Sequence, residues 1–215
     1  NKMFISAYLA SALAAKGGKE FIKTIIDCIG QDNPALQGWL LEIYFFAAIK
    51  SGGFSCFDKD GTDYTELFVG EVATFDPLDT QSLPKSTWLA PVKWNQGGYD
   101  ALHMDEEGNV SIVQVTSSQS HSFKISYFKQ VLENIKKHFT IKTVEIYYVI
   151  PWEVHDFKIT PVSGMGLLKE YPGWEEVDNE VTRVKILFSN EMLEMQPATS
   201  TKGKELTSLN VPSCW

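Results

Sequence analysis

Three polar side chains, Asp100, Gln114 and Thr116, lie on two consecutive apolar segments at a spacing that predicts a shared site. The acidic stretch 105–109 between the segments has the carboxylates, glycine and asparagine of a tight reversal, so the segments read as two strands of a β-hairpin. Because side chains alternate along a strand, Gln114 and Thr116 project to one face. Asp100 enters the opposing strand close to both of them.

A divalent metal site is the chemistry that these side chains predict. A hard cation takes oxygen ligands, and here Asp100 offers a carboxylate, Gln114 an amide oxygen and the strand a backbone carbonyl. The alternative is a hairpin whose polar side chains are only solvated.

The same residues resemble a known family. In the PD-(D/E)xK restriction-endonuclease-like superfamily, an acidic residue is followed after a spacer by (D/E)-x-K, whereas Asp100 is followed here by a Gln-x-Thr variant. The wider pattern is similar to the nuclease-like domains of Crinkler effectors and of the retrotransposon hot spot (RHS) proteins of kinetoplastids, over roughly residues 35–155. Its residues are Gly98-Tyr99-Asp100-Ala101-Leu102, then Gln114-Val115-Thr116, then His121 and Lys124 before a helix.

Glu42 is the one charge before Lys50 in an otherwise apolar helix predicted for residues 35–50. A carboxylate there is costly unless it is paired, liganded or at the edge of the buried surface. In the superfamily the helix before the first strand commonly supplies a glutamate, so the resemblance implies that Glu42, Asp100 and Gln114 hold Mg²⁺ or Mn²⁺. The alternative is a glutamate on the one wet face of the helix or bonded to a neighbouring strand.

The resemblance implies a DNA nuclease, but Thr116 stands where the family has its catalytic lysine. That lysine would stabilise negative charge and orient the attacking water. His121 and Lys124 are the candidates to replace it, because both follow closely on the second strand of the hairpin. Losing one such group typically costs about 10²- to 10³-fold in rate.

The partners implied by the resemblance are DNA, or RNA, an NTPase module in the same full-length protein, and a host protein. The implied location is the nucleus, which for a secreted effector is the nucleus of a host cell. The alternative function is a catalytically weak or inactive pseudonuclease that binds nucleic acid or a partner protein, which the acidic composition and the missing lysine favour.

The distribution of charge argues against strong, indiscriminate nucleic-acid binding, because the net charge is −8. Residues 121–142 nevertheless carry five lysines against one glutamate, and a solvated helix face is the alternative to a phosphate-binding surface there. Arg183 is the one arginine, so bidentate reading of guanine is largely excluded and low base specificity is expected. The predicted phosphate contacts are Lys124, Lys129, Lys136 and Lys137.

The elements that position these residues predict an α/β fold with the αβββαβ core of the restriction-endonuclease-like fold and a mixed central sheet. An N-terminal helical extension takes residues 1–34, the core domain residues 35–195 with C-terminal additions, and a loosely ordered tail residues 196–215. Beyond the hairpin, the predicted strands are 53–59, 66–74, 144–150 and 182–189, and the predicted helices are 3–16, 19–29, 35–50 and 124–139. The proline-containing stretch 77–91 is predicted to be a surface loop.

Other signals limit the function classes. Cys28, Cys56 and Cys214 are isolated, with neither zinc spacing nor a disulfide framework, so we expect a reducing intracellular compartment. No run approaches the roughly 18 apolar residues of a membrane helix, so no membrane partner is expected. Asn1 is not an initiator methionine, and we expect the chain to be a piece of a longer protein.

Overall fold

The fold is that of a computed structural model, which describes Gly18, residues 20–22, residues 34–92 and residues 97–192. Gly18 and residues 20–22 are helical. The rest of the helices predicted for 3–16 and 19–29, and the tail predicted from residue 196, lie outside the described residues.

Helix α1 (Pro34–Lys50) confirms the helix predicted for residues 35–50. Proline suits the first turn of a helix because its missing N–H would have no intrahelical partner there. The helix ends in a Schellman motif, in which Gly53 N donates to Ala48 O at 2.9 Å and Gly52 takes the left-handed conformation at φ +116°. Nearly all of its described side chains from Leu40 to Ile49 are buried, because the helix lies against the central sheet.

The central sheet is mixed and has six strands, which confirms the α/β class and the mixed sheet. In spatial order the strands are β1 (Val72–Phe75), β2 (Trp88–Pro91), β3 (Ala101–Met104), β4 (Asn109–Val115), β6 (Thr143–Pro151) and β8 (Lys185–Ser189). β3 pairs antiparallel with both β2 and β4, and the other pairs are parallel.

The predicted hairpin is present as β3 and β4, with Leu102 opposite Ile112. Its turn is held by Asp105, whose Oδ1 accepts from Glu107 N and from Asn109 N, both at 2.9 Å. Gly108 has φ +93° there, and a Cβ would lie 2.3 Å from the carbonyl oxygen of Thr140, so only glycine fits.

Both faces of the sheet are covered. Helix α2 (Ile125–Lys136) packs its apolar stripe on one face, and α1 covers the other. β6 supplies both sides, with Ile146, Tyr148 and Ile150 in the α2-side core and Tyr147 and Val149 in the α1-side core. The prediction of a central strand that is buried on both faces is confirmed.

The strand predicted for 53–59 is wrong, and the strand predicted for 66–74 is confirmed only at its end. Residues 53–59 make only isolated bridges, from Phe57 to Asp63 and to Phe188, because Asp58 Oδ1 accepts from Asp60 N (3.0 Å) and Thr62 N (2.9 Å) and turns the chain. In the stretch 66–74, a 3₁₀ helix occupies Thr65–Phe68 and Gly70 has φ +140°, so the strand begins only at β1.

The loop predicted for residues 77–91 is also a correction, because it contains β2 between β1 and β3. Trp88 and Leu89 are buried there, and the strand was hidden by its shortness and by the prolines around it. A second, two-stranded sheet of β5 (Ser120–Lys124) and β7 (Lys158–Ser163) was not predicted. Of the strand predicted for 182–189, the first two residues belong to a 3₁₀ helix at Glu180–Arg183. The strand itself is β8.

One end of the central sheet carries the candidate site. The chain enters β3 there, and the neighbouring strands β4 and β6 end there, because β3 runs antiparallel to β4 and β4 runs parallel to β6. None of the helices in the described parts of the chain is long and apolar enough to cross a membrane.

Candidate metal and nucleic-acid site

Asp100 lies directly before β3 and is tied to the end of β4. Its backbone N–H donates to Val113 O at 2.8 Å, and its carboxylate Oδ2 accepts from Val115 N at 2.7 Å and from the Gln114 amide. Burial raises the pKa of Asp100 to about 7, although both hydrogen bonds to the carboxylate lower it. The predicted approach of Asp100 and Gln114 is therefore present.

Glu42 lies on α1 and is half-buried. Burial, together with the negative charge of Asp100, raises the pKa of Glu42 to about 9. The helix and the hairpin therefore bring two carboxyl groups within electrostatic range of each other at one end of the sheet. A divalent cation would relieve both their mutual repulsion and the cost of burying their charge.

Gln114 presents its amide nitrogen to Asp100, and the same Nε2 donates to Val115 O at 3.2 Å. Binding a cation through its oxygen while Asp100 also binds would require the amide to turn about its last side-chain bond. In the orientation described, the Gln114 amide therefore holds Asp100 in place, and it would become a neutral third ligand only after that turn.

Thr116 follows β4, and its backbone N–H donates to Val149 O at 3.0 Å. Its hydroxyl accepts from Ser118 N at 3.2 Å, and the residue is buried. The position where the family has a lysine therefore holds an uncharged side chain that stabilises the turn out of the strand.

His121 lies within β5, and its ring is edge-on to Tyr148, with 5.7 Å between the ring centroids. Its Nδ1 is 2.9 Å from the carbonyl oxygen of Ser122. Because a carbonyl oxygen only accepts, Nδ1 carries the proton of the neutral ring, and Nε2 is the nitrogen that can accept one.

Tyr148 is a site residue that the sequence did not indicate. It lies beside Gln114 in the register of β4 and β6, and its hydroxyl donates to Ser122 O at 3.1 Å. Burial raises the pKa of Tyr148, and the charge of Asp100 adds to that shift. Tyr148 therefore connects His121 to the surroundings of Asp100. The only signal in the sequence was a pair of tyrosines, Tyr147 and Tyr148, in a largely apolar strand.

Lys124 ends β5 and is exposed, and its Nζ is 5.9 Å from the centroid of the Tyr127 ring. That ring packs on the two glycines before the site, where a Cβ on Gly98 would lie 2.8 Å from the Cβ of Tyr127. Gly98 also has φ +92°, so two independent reasons require glycine there. Lys124 is thereby held close to the loop that leads into Asp100.

The other predicted phosphate contacts are paired within the protein. Glu170 binds Lys129 Nζ at 2.8 Å and Lys136 Nζ at 3.4 Å, and Lys137 Nζ donates to Asn134 Oδ1 at 2.8 Å. The hydrogen bond and charge of Glu170 raise the pKa of Lys129. These lysines lie on α2 and at its C-terminal end, and Glu170 neutralises part of their charge.

The donor set decides how a cation would be held. In residues 34–92 and 97–192, together with the few described before them, no three His, Cys, Asp or Glu side chains converge on one point. The candidate site offers two carboxylates with neutral oxygens, which fits a hard cation bound weakly rather than zinc.

None of the protein-family models, curated proteins or solved structures compared with this chain matches it. The likeness to Crinkler and RHS nuclease domains therefore depends on the residue pattern at the end of the sheet.

Proposed function

We propose that this chain is a metal-dependent nuclease domain of the Crinkler and RHS type, which hydrolyses phosphodiester bonds of DNA with low base specificity. The observation that carries the proposal is the pairing of Glu42 and Asp100, two carboxyl groups whose pKa values are raised by burial and that lie within electrostatic range of each other. Carboxyl groups with strongly shifted pKa values are typical of functional sites.

The order of elements supports the proposal. α1, β2, β3, β4, α2 and β6 follow the αβββαβ order of the restriction-endonuclease-like core, and β3 and β4 form its hairpin. We propose that this part of the mixed sheet is that core, with β1, the small β5/β7 sheet and β8 as additions.

Glu42, Asp100 and Gln114 would hold Mg²⁺ or Mn²⁺. When bound, such an ion polarises a phosphodiester oxygen and lowers the pKa of a water molecule. The acidic pair must lose its protons for this to happen, so the affinity for the ion should rise with pH between about 7 and about 9.

His121 and Lys124 are the groups of this chain that we propose to act in place of the missing lysine. Nε2 of His121 is free of the Ser122 contact made by Nδ1, so it can accept a proton from an attacking water. Lys124 carries an exposed ammonium near the loop before Asp100 and would bind a substrate phosphate. The Thr116 side chain fills its buried position but brings no charge to the candidate site.

We also propose, on the same likeness, that the domain works with an NTPase module of a longer protein and acts in the nucleus, which is that of the host if the protein is a secreted effector. A host protein is a further proposed partner.

The test is degradation of plasmid and single-stranded DNA in Mg²⁺ or Mn²⁺, with EDTA as the metal-free control. We expect Asp100→Asn and Glu42→Gln each to lower the rate at least about 100-fold, the scale of losing one group that stabilises transition-state charge. The matched controls Asp60→Asn and Glu66→Gln remove exposed carboxylates and should leave the rate unchanged. A second readout is thermal unfolding, in which Mn²⁺ should stabilise the wild type and the controls but not Asp100→Asn.

A second candidate function is the pseudonuclease, and one observation favours it. Oδ2 of Asp100 already accepts hydrogen bonds from Val115 N and from the Gln114 amide, which is how a structural carboxylate is satisfied. In that case the folded protein would cleave nothing with any metal, and Asp100→Asn would lower the free energy of unfolding without changing the response to Mn²⁺.

A further inference from the structure

A cleft opens beside Asp100, between α2 and the segment that follows β1. Its empty volume is about 340 Å³, part of which is open solvent. The cleft is small and partly open to solvent, so it suits at most one small group. We call this cleft the Tyr99 cleft. Its lining includes Leu78, Tyr99, Tyr127 and Gln130.

Tyr99 lines this cleft and carries an unsatisfied hydroxyl. The residue is 1% exposed, and among the described residues its hydroxyl has no hydrogen-bond partner. Burial raises the pKa of Tyr99, and the nearby charge of Asp76 raises it further, so the phenol stays neutral and can both donate and accept. A buried polar group without a partner is costly, and a ligand that bonds to it would recover that cost.

The walls of the Tyr99 cleft are aromatic and apolar, with polar groups at the rim. The Tyr127 ring is held by the close approach of Gly97 and Gly98, and Leu78 is 62% exposed although it lines the cleft. Gln130 adds an exposed amide. The charge of Asp76 disfavours a phosphate inside the cleft and favours a neutral group that carries N–H donors.

The position of the cleft connects it to the candidate site. Tyr99 directly precedes Asp100, and the Tyr127 ring lies under the ammonium of Lys124, 5.9 Å from its centroid. A nucleotide whose phosphate lies between Lys124 and Asp100 would therefore have the Tyr99 cleft within reach of its base.

We propose that the Tyr99 cleft binds one unpaired nucleobase, and that the substrate class of this site is single-stranded nucleic acid. The inference rests on the proposed function for the phosphate that the neighbouring carboxylates would bind. A base inside a duplex is stacked and paired, and extruding it costs a few kcal/mol, whereas a single strand offers its bases at little cost. Stacking on an aromatic ring does not require a particular base, which agrees with the low base specificity proposed above.

The experiment measures binding by fluorescence anisotropy in Ca²⁺, with the complete chain. The probes are a labelled single-stranded DNA of mixed sequence, the same strand annealed to its complement, and a single strand of equal length made of abasic residues. We expect the base-bearing single strand to bind roughly 5- to 100-fold more tightly than the abasic strand, the range that one stacked base contributes. We expect it to bind more tightly than the duplex as well.

Two variants test the cleft itself. Tyr99→Phe removes only the unsatisfied hydroxyl, so the fold should survive, and the affinity for the base-bearing strand should fall about 2- to 10-fold. Leu78→Ser removes an exposed wall and should weaken binding of the same strand but not of the abasic strand. Met165→Ser is the matched control, because Met165 is also a large apolar side chain exposed outside the cleft (47%).

Equal binding of the base-bearing and abasic strands would overturn the inference, and so would a preference that neither Tyr99→Phe nor Leu78→Ser changes. Cleavage in Mg²⁺, measured in parallel, separates this failure from failure of the proposed function. Metal-dependent cleavage without a preference for bases leaves the nuclease in place and removes the subsite. A preference that depends on Tyr99, without cleavage in any metal, leaves the subsite and removes the nuclease.

Discussion

At the scale of a single residue, burial and hydrogen bonding act in opposite directions on the pKa of Asp100. Burial disfavours its charge, whereas hydrogen bonds from Val115 N and Gln114 favour it. Glu42 is shifted further because burial and the charge of Asp100 act in the same direction. A cation bound by the pair would displace protons that are held with pKa values of about 7 and about 9.

The first prediction concerns stability and pH. Both acids have folded-state pKa values raised above their ordinary 3.8 and 4.5, so the folded protein binds protons more tightly than the unfolded chain. Their contribution to stability is then complete below pH 3.8 and is lost as pH rises through about 7 for Asp100 and about 9 for Glu42. We expect the free energy of unfolding in urea, with EDTA, to fall over this range and to fall less in Glu42→Gln. A free energy of unfolding that rises between pH 5 and 9 equally in both proteins would contradict this account.

Sequence and structure agree best at this residue scale where partners are close in the chain. Asp100 and Gln114 lie on two arms of one hairpin, so strand alternation was enough to bring them together. Tyr148 could not be predicted, because its place beside Gln114 depends on the parallel pairing of β4 with β6 across an intervening helix.

At the scale of elements, the packing of α2 on the loop before β3 positions the site. Tyr127 of α2 contacts Gly97 and Gly98, and this contact fixes where the chain enters β3. The approach is possible only because the glycines have no side chain.

The second prediction tests that packing with two glycine variants. Gly61 has φ +83° with nothing within 4 Å of a Cβ, so Gly61→Ala measures only the strain of the left-handed backbone, about 1–2 kcal/mol. Gly98 has φ +92° and also meets Tyr127, so Gly98→Ala should cost about 1–3 kcal/mol more. The free energy of unfolding of both variants, measured in urea, gives the comparison. Equal losses would show that the Tyr127 side chain moves aside at no cost.

The elements themselves were only partly predictable. α1, the hairpin, α2 and β6 were indicated because each has a long or regular apolar pattern. β2 was missed because four residues between prolines give too short a pattern. The strand predicted for 53–59 failed because the turn formed by Asp58 outweighs the alternation of Phe54, Ser55 and Cys56.

At the scale of the whole molecule, net charge is the property that would most limit the proposed binding of nucleic acid. The net charge is −8, and Glu170 pairs with two of the four lysines that were predicted to contact phosphate. The sequence could not indicate this pairing, because Glu170 lies far along the chain from α2.

The third prediction follows from that pairing. Glu170→Gln should release Lys129 and Lys136, raise the affinity for DNA several-fold at low salt and steepen the loss of affinity as salt rises. Glu153→Gln changes the net charge equally at an exposed position and is the matched control. If both variants gain the same affinity in anisotropy titrations, the gain comes from the net charge alone. Lys129 and Lys136 then do not form a DNA-binding surface.

The burial of α1 has a consequence for how the chain is made. Its apolar surface is covered by Val113 and Val115 of β4 and by Tyr147 and Val149 of β6, which are synthesised well after it. Until those strands leave the ribosome, Leu41, Phe45 and Ile49 have no sheet to pack against. The nascent chain therefore carries an exposed hydrophobic helix for much of its synthesis, and α1 is the segment where aggregation or chaperone binding would begin.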